Sequence, residues 1–219
     1  MKLFKLNLIF FIIILLIYIK YLNIIENKFY NNIRNVHNPS DIDVIINKNN
    51  KLNKKYKPND LILLNHKYSN KNKFLRKEAL INFEKLSVDA SKKGFSIIAV
   101  STYRSYIYQN ELYNYYYKFK GKKYADKCCA RPGHSEHQTG LAVDVMGSNN
   151  NYNEFDTSIE FNWMTENCYK YGFILRYPKG KEKITGFKYE PWHYRYVGKK
   201  LASYLHKNKI TLEEYKNFE

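Results

Sequence analysis

ARPGHSEHQTGLAVDV, residues Ala130 to Val145, is the stretch on which the reading of this chain turns. It begins polar and histidine-bearing, passes through Gly140, and ends in a short β-rich run, LAVDV. A turn at Gly140 followed by a strand brings His137 and Asp144 toward one point, although six residues separate them. A second segment, GFKYEPWHYRYVG (Gly186 to Gly198), supplies another histidine, His193, from a distant strand. Two imidazoles and a carboxylate suit a zinc ion and leave the fourth tetrahedral position open for water, which a catalytic site needs and a structural site fills. Taken alone, a histidine and an aspartate at this spacing recur by chance.

Glu190 stands three residues before His193. A carboxylate beside an activated water takes its proton as the water attacks a carbonyl, then passes that proton to the leaving amine. The plainer alternative is a surface glutamate next to a turn-forming proline. Arg104 follows the apolar run FSIIAV (Phe95 to Val100) and is placed to stabilise an oxyanion. Its plainer alternative is a simple salt bridge.

Around these segments the elements alternate irregularly. Ala79, Leu80, Phe83, Leu86 and Ala90 recur at helical spacing, which predicts a helix over Phe74–Lys93 stopped by Gly94. FSIIAV reads as a buried strand. Ser105 opens a second helix that Gly121 ends, and Thr157–Tyr171 forms a third, closed by Gly172. Phe173–Tyr177 reads as a strand, Ile184–Tyr196 as extended chain broken by Pro191, and Val197–Lys207 as a helix. Thr211 and Glu214 have the spacing of a capping box. Strands this short and irregular favour an α+β fold over a βαβ series.

Three segments in order, STYRSYIYQNELY (Ser101 to Tyr113), ARPGHSEHQTGLAVDV and EPWHYRYVG (Glu190 to Gly198), resemble the blocks of the VanY-type D-alanyl-D-alanine carboxypeptidases. GFILRYPKGKEKITG (Gly172 to Gly186) is similar to that family's approach to the last block. These are zinc peptidases that share a fold with lysostaphin-type enzymes and the hedgehog signalling domain. The resemblance covers Leu61 to Val197 and implies a small antiparallel sheet flanked by helices. It implies Zn2+ held by His137, Asp144 and His193, Glu190 as catalytic base, and Arg104 as oxyanion stabiliser. Gln109, Ser135 and Trp192 are the implied substrate contacts. His134 is not a ligand by this mapping, and His37, His66 and His206 fall outside the blocks. The implied reaction removes the terminal D-Ala from peptidoglycan stem peptides; an L,D-carboxypeptidase or a peptidoglycan endopeptidase using the same zinc site is the alternative. A wall- or nucleic-acid-binding module with a degenerate site is the rival outside the enzymes, but all four metal and base positions are present.

The ends of the chain read differently. Leu8–Ile19 (LIFFIIILLIYI) is uninterruptedly apolar, preceded by Lys2 and Lys5 and followed by Lys20. This is the layout of an uncleaved signal-anchor, a transmembrane helix with its N-terminus cytoplasmic and the rest extracytoplasmic at the cell membrane. A cleaved signal peptide, giving a secreted protein, is the alternative. Residues 1–25 are thus an anchor, 26–57 a polar linker with one short strand at Asp43–Ile46, and 58–219 the peptidase domain.

With 219 residues, 44% hydrophobic and 26% charged, the chain has the composition of a globular protein. Its formal charge of +17, from 37 basic and 20 acidic side chains, favours anionic partners such as wall polymers and membrane surfaces. Coding bias and a solvated surface account for it equally well. The lysines are scattered and form no nucleic-acid module, so no specific nucleic acid is expected. Three cysteines, Cys128, Cys129 and Cys168, make no disulfide framework; either one bridge to Cys168 forms or all are free.

Overall fold

A computed structural model describes residues 2–26 and 29–217, and in the first helix the side chains of residue 7 and residues 9–20. That helix, α1 (Lys2–Glu26), exposes Ile9 through Ile19, each 44–66% accessible. Among the described residues no helix is long and apolar enough to cross a membrane. The flanking Lys2 and Lys5 side chains of the expected anchor lie outside the described residues.

The folded body is built on a four-stranded sheet in the order β5 (Ile98–Ser101), β6 (Ala142–Met146), β8 (His193–Tyr196), β7 (Phe173–Leu175), with every neighbouring pair antiparallel. Two minor two-stranded pairs, β1 (Arg34–Asn35) with β2 (Asn50–Lys51) and β3 (Leu61–Leu63) with β4 (Phe74–Arg76), lie outside it. The helices are α2 (Lys77–Ser91), α3 (Tyr106–Lys120), α4 (Lys122–Cys128), α5 (Ile159–Asn167), α6 (Glu182–Thr185), α7 (Lys199–Asn208) and α8 (Leu212–Lys216). The fold is a mixture of helices and small sheets.

Strand alternation decides which side chains meet which face. Val143 and Val145 of β6 and Tyr194 and Tyr196 of β8 turn into the core, where they join Ala79, Leu80, Phe83, Leu86 and Ala90 of α2. Each large apolar side chain fully buried there contributes about 1.5–3 kcal/mol. Ala142, Asp144, His193 and Arg195 occupy the alternate positions and face the other way. The apolar stripe that predicts α2 is the stripe that covers the sheet.

Several boundaries move. The expected helix over Phe74–Lys93 begins only at Lys77, because Phe74–Arg76 pairs with Leu61–Leu63 and the Arg76 amide donates to the Gly140 carbonyl. The stretch read as extended from Ile184 includes the end of α6, a single helical turn capped by Gly186. Ser105 does cap α3, accepting from the Tyr108 amide, and Thr211 with Glu214 forms the reciprocal capping box of α8. All three cysteines are free.

Residues read as a polar linker pack on the body instead. Val44, Ile46 and Leu52 are buried together with Val36 and Tyr56 against them. The Leu52 amide donates to the Gly133 carbonyl, and Gln138 donates to the carbonyls of Asn53 and Tyr56. No strand forms at Asp43–Ile46; the Asn47 side chain accepts from the amides of Asn49 and Asn50 and folds the chain back. The asparagines mark turns, and the sparse aliphatics between them are enough to dock the segment.

Gly140 adopts φ +68°, and a Cβ there would lie 2.7 Å from Leu61 Cδ2 and 3.1 Å from Arg76 Cγ. Gly140→Ala is therefore expected to cost at least ~2 kcal/mol and to lower the unfolding midpoint by about 4–8 °C, read by calorimetry. An unchanged midpoint would contradict the steric reading.

Candidate active site

The two sequence segments meet through strand register. Asp144 on β6 lies directly opposite His193 on β8, so their side chains share a face at the closest cross-strand spacing. His137 arrives from one turn of 3-10 helix, Glu136–Thr139, which Ser135 caps by accepting from the His137 amide and Gly140 closes in the left-handed region. The carbonyl of His137 accepts from the Arg104 amide, which ties this turn to the chain leaving β5. His137, Asp144 and His193 are all buried, and one ligand atom from each lies within 4.8 Å of the others.

The second nitrogen of each imidazole fixes its tautomer. His137 Nδ1 is 2.6 Å from the Thr102 carbonyl, an acceptor, so Nδ1 carries the hydrogen and Nε2 presents its lone pair. His193 Nε2 faces Glu136 Oε2 at 3.4 Å, which leaves Nδ1 to face Asp144 Oδ1 at 2.9 Å. His137 Nε2 lies 3.2 Å from Asp144 Oδ2. His137 Nε2 and Asp144 Oδ1 are nevertheless buried without an aligned hydrogen-bond partner. Lone-pair nitrogens converging on carboxylate oxygens need a positive charge among them, and a divalent cation ligated by two histidines and one aspartate supplies it. The residues present fit zinc.

Electrostatics separate the two carboxylates. Burial raises the pKa of Asp144, but His137 and His193 outweigh it and hold this group well below the usual carboxylate range. Burial pushes Glu190 up to about 7, with His193 pulling back and Asp144 adding to the rise. Burial and the Arg104 guanidinium push His137 down to about 4. Burial lowers His193 as well, but without a cation between them the Asp144 and Glu136 carboxylates on either side of its ring raise it to about 9. One carboxylate is thus ionised as a ligand, and the other is poised to exchange a proton near neutrality.

Glu190 reaches the centre by a turn. The His193 amide donates to the Glu190 carbonyl at 3.2 Å, with Pro191 in the second position, where its fixed φ suits a tight turn. This returns the Glu190 carboxylate to 3.9 Å from His193 Nδ1. Arg104 lies 3.6 Å from Asp144 Oδ2, and its Nε is buried without a partner.

The remaining expected contacts divide. Trp192 is half-buried beside the ligands, edge-on to Tyr152 and under the Lys188 ammonium. Gln109 is 1% exposed and sits behind Arg104: its Oε1 accepts from Arg104 Nη1 at 2.9 Å, while Nε2 donates to the Ala130 carbonyl. It orients the arginine through that contact. Ser135 is likewise buried and spends its hydroxyl oxygen on the turn. His134 contacts the Asn47 carbonyl and is no part of the centre.

Sequence reading missed the residues behind His193. Glu136, Arg176, Arg195 and Glu213 form a buried ionic chain. The signal available was the alternation of β8, which sets Arg195 on the face of His193, and a glutamate directly beside a ligand histidine.

A sheet that pairs a His–Asp–His cluster with a poised glutamate defines a metallopeptidase-like centre. The chain belongs to the VanY family of D-alanyl-D-alanine carboxypeptidases, whose model matches residues 72–199. It is 41% identical over 204 residues to the putative carboxypeptidase YodJ of Bacillus subtilis, covering 87% of this chain and 75% of that protein. The structure resembles that of the LD-carboxypeptidase LdcB with TM-score 0.81 and 41% identity, over 85% of this chain and 91% of the other. A mutant of the vancomycin resistance D,D-pentapeptidase VanY in complex with Zn(II) matches with TM-score 0.68 and 33% identity, over 80% of this chain and 98% of the other. Zinc is the cofactor of the His137, Asp144, His193 site.

A protonated Glu190 cannot accept a proton, so activity should fall as pH drops through its midpoint. That midpoint lies at or below about 7, because a cation nearby favours the carboxylate, and above the ordinary 4.5 that burial raises. The acid limb of kcat/KM against pH checks this; a flat profile between 4.5 and 7 would contradict it.

Proposed function

We propose that this chain is a zinc-dependent D,D-carboxypeptidase that removes the terminal D-Ala from peptidoglycan stem peptides. The observation that carries the reading is the Glu190 carboxylate, raised to about 7 and held 3.9 Å from a ligand of a two-histidine, one-aspartate centre. Zinc, when bound by His137, Asp144 and His193, polarises a peptide carbonyl and lowers the pKa of a water.

The chain's own groups do the rest. Glu190, ionised, takes the proton of the attacking water and delivers it to the departing amine of D-Ala. Arg104 is held by Gln109 at Nη1, lies beside Asp144 through Nη2, and keeps its buried Nε without a partner. It thereby offers a fixed positive charge where the oxyanion develops. Trp192, with Tyr152 against it, supplies an apolar wall for a short peptide. Burial of every ligand excludes bulk water from the reacting groups.

The L,D specificity is the second reading, favoured by the likeness to LdcB at 41% identity against 33% for the D,D-pentapeptidase. The two differ in the configuration of the residue preceding the scissile bond, which this centre of residues addresses only through the pocket wall. Residues 1–25 on this reading anchor the enzyme to the cell membrane with the peptidase domain extracytoplasmic, supported by the exposed apolar run Ile9–Ile19 and the lysines before it.

Defined pentapeptide and tetrapeptide muropeptides, incubated with the zinc-loaded chain and resolved by mass spectrometry, test the activity. Loss of one D-Ala from the pentapeptide supports the D,D reading; trimming of the tetrapeptide alone replaces it with the L,D reading. Glu190→Gln should retain zinc and lose about 10²–10⁴-fold in kcat, whereas His137→Ala should lose zinc by elemental analysis as well as turnover. Full activity in Glu190→Gln would sink the assigned base. The full chain should sediment with membranes and resist carbonate extraction, while a chain lacking residues 1–25 should not; a soluble full chain would refute the anchor.

A further inference from the structure

Behind the metal ligands lies a chain of charges that the proposed chemistry does not use. The Glu136 side chain is fully buried. Its Oε1 accepts from Arg176 Nε and Arg195 Nη1, each at 2.8 Å, and its Oε2 is 3.4 Å from His193 Nε2. Arg176 pairs through both terminal nitrogens with Glu213 at 2.8 and 2.6 Å. Arg195 donates to the Ile42 and Val44 carbonyls at 2.9 and 2.8 Å and to the Tyr196 carbonyl at 3.0 Å.

Two glutamates and two arginines balance in charge, yet their burial is costly. Ion pairs in a protein interior are often replaceable by apolar side chains without loss of stability. A requirement for rigid placement explains their position better than stability does. Glu136 adjoins one ligand, His137, in sequence, and touches the other, His193, in space. A turn of 3-10 helix makes this possible, because consecutive side chains leave it in different directions. The carboxylate faces the nitrogen of His193 that does not face Asp144.

We propose that Glu136 is a positioning residue for His193, fixing the imidazole with its hydrogen on Nε2 and its Nδ1 lone pair toward the metal, and that the Arg176–Glu213 and Arg195–carbonyl contacts hold Glu136 in place. The geometry of the centre then depends on two parts of the chain that touch neither metal nor substrate. One is the C-terminal helix α8, through Glu213. The other is the segment of Ile42 and Val44, which precedes the catalytic blocks and packs against them. An ionised carboxylate behind a ligating histidine raises the basicity of that ligand and removes its rotational freedom, and losing such a partner typically weakens metal binding by about 10–100-fold. This inference rests on the zinc reading of His137, Asp144 and His193.

The test uses the full chain and Glu136→Gln. Zinc affinity is read by competition with a chelator, and ligand geometry by the visible absorption of the Co(II)-substituted protein. Circular dichroism confirms that the molecules measured are folded. The expected result is zinc binding weakened by about 10–100-fold with an altered Co(II) spectrum. Where Glu136→Gln does not fold, Glu213→Gln, one contact further from the ligand, is expected to weaken zinc in the same direction by a smaller factor. Phe83→Leu, on the opposite face of the sheet, is the control. It should lower the unfolding midpoint and leave both the affinity and the Co(II) spectrum unchanged. Folded Glu136→Gln, or folded Glu213→Gln in its place, with wild-type zinc affinity and spectrum would overturn the proposal. A wild-type chain that takes up no zinc would overturn the metal centre itself, and this inference with it.

Discussion

Antiparallel pairing of Ala142–Met146 with His193–Tyr196, in the register that sets Asp144 opposite His193, is the constraint on which the site depends. Side chains alternate faces along a strand, so a slip of His193–Tyr196 by one residue would turn His193 into the core and bring Tyr194 out. The register is held by what the other face buries. Val143, Val145, Tyr194 and Tyr196 pack against the apolar stripe of the helix Lys77–Ser91. The core that stabilises the sheet also aims the ligands.

Around that pairing the fold uses burial in two opposite ways. Asp144 is surrounded by histidines and stays ionised, whereas Glu190 meets less compensating charge and is raised to about 7. Both effects come from the low local dielectric, which strengthens attraction to a partner as much as it penalises an unpaired charge. Arg104 gains direction from the same dryness. Gln109 fixes one edge of its guanidinium and Asp144 lies near another, which leaves Nε as a buried donor without a partner.

Much of the architecture is visible in one-dimensional patterns because local physics generates those patterns. Ala79, Leu80, Phe83, Leu86 and Ala90 repeat at helical spacing since a helix has one face to bury. Ser105, Gly121, Thr211 and Glu214 mark helix ends because exposed amides and carbonyls need partners there. Phe74–Arg76 escapes that logic: its apolar residues continue the helical pattern, but pairing with Leu61–Leu63 makes it a strand. The segment up to Lys57 escapes it too, because Val44, Ile46 and Leu52 are too few to show a period and are buried only by distant partners.

The sequence by itself set His137 with Asp144 in one short block and Glu190 with His193 in another, each pair close enough in the chain for a single turn to bring it together. Local rules also place the turn at Gly140 and the return of Glu190 across Pro191. Only the tertiary structure decided how these groups are held. Gln109 and Ser135, which the resemblance assigns to substrate, are turned toward Arg104 and the His137 turn. Glu136 takes Arg176 and Arg195 from strands and loops 40 and 59 residues away, and Arg176 reaches Glu213 across another 37. Contacts at such separations leave no period or spacing in the chain, since they arise only when the sheet closes and each buried charge must find its partner.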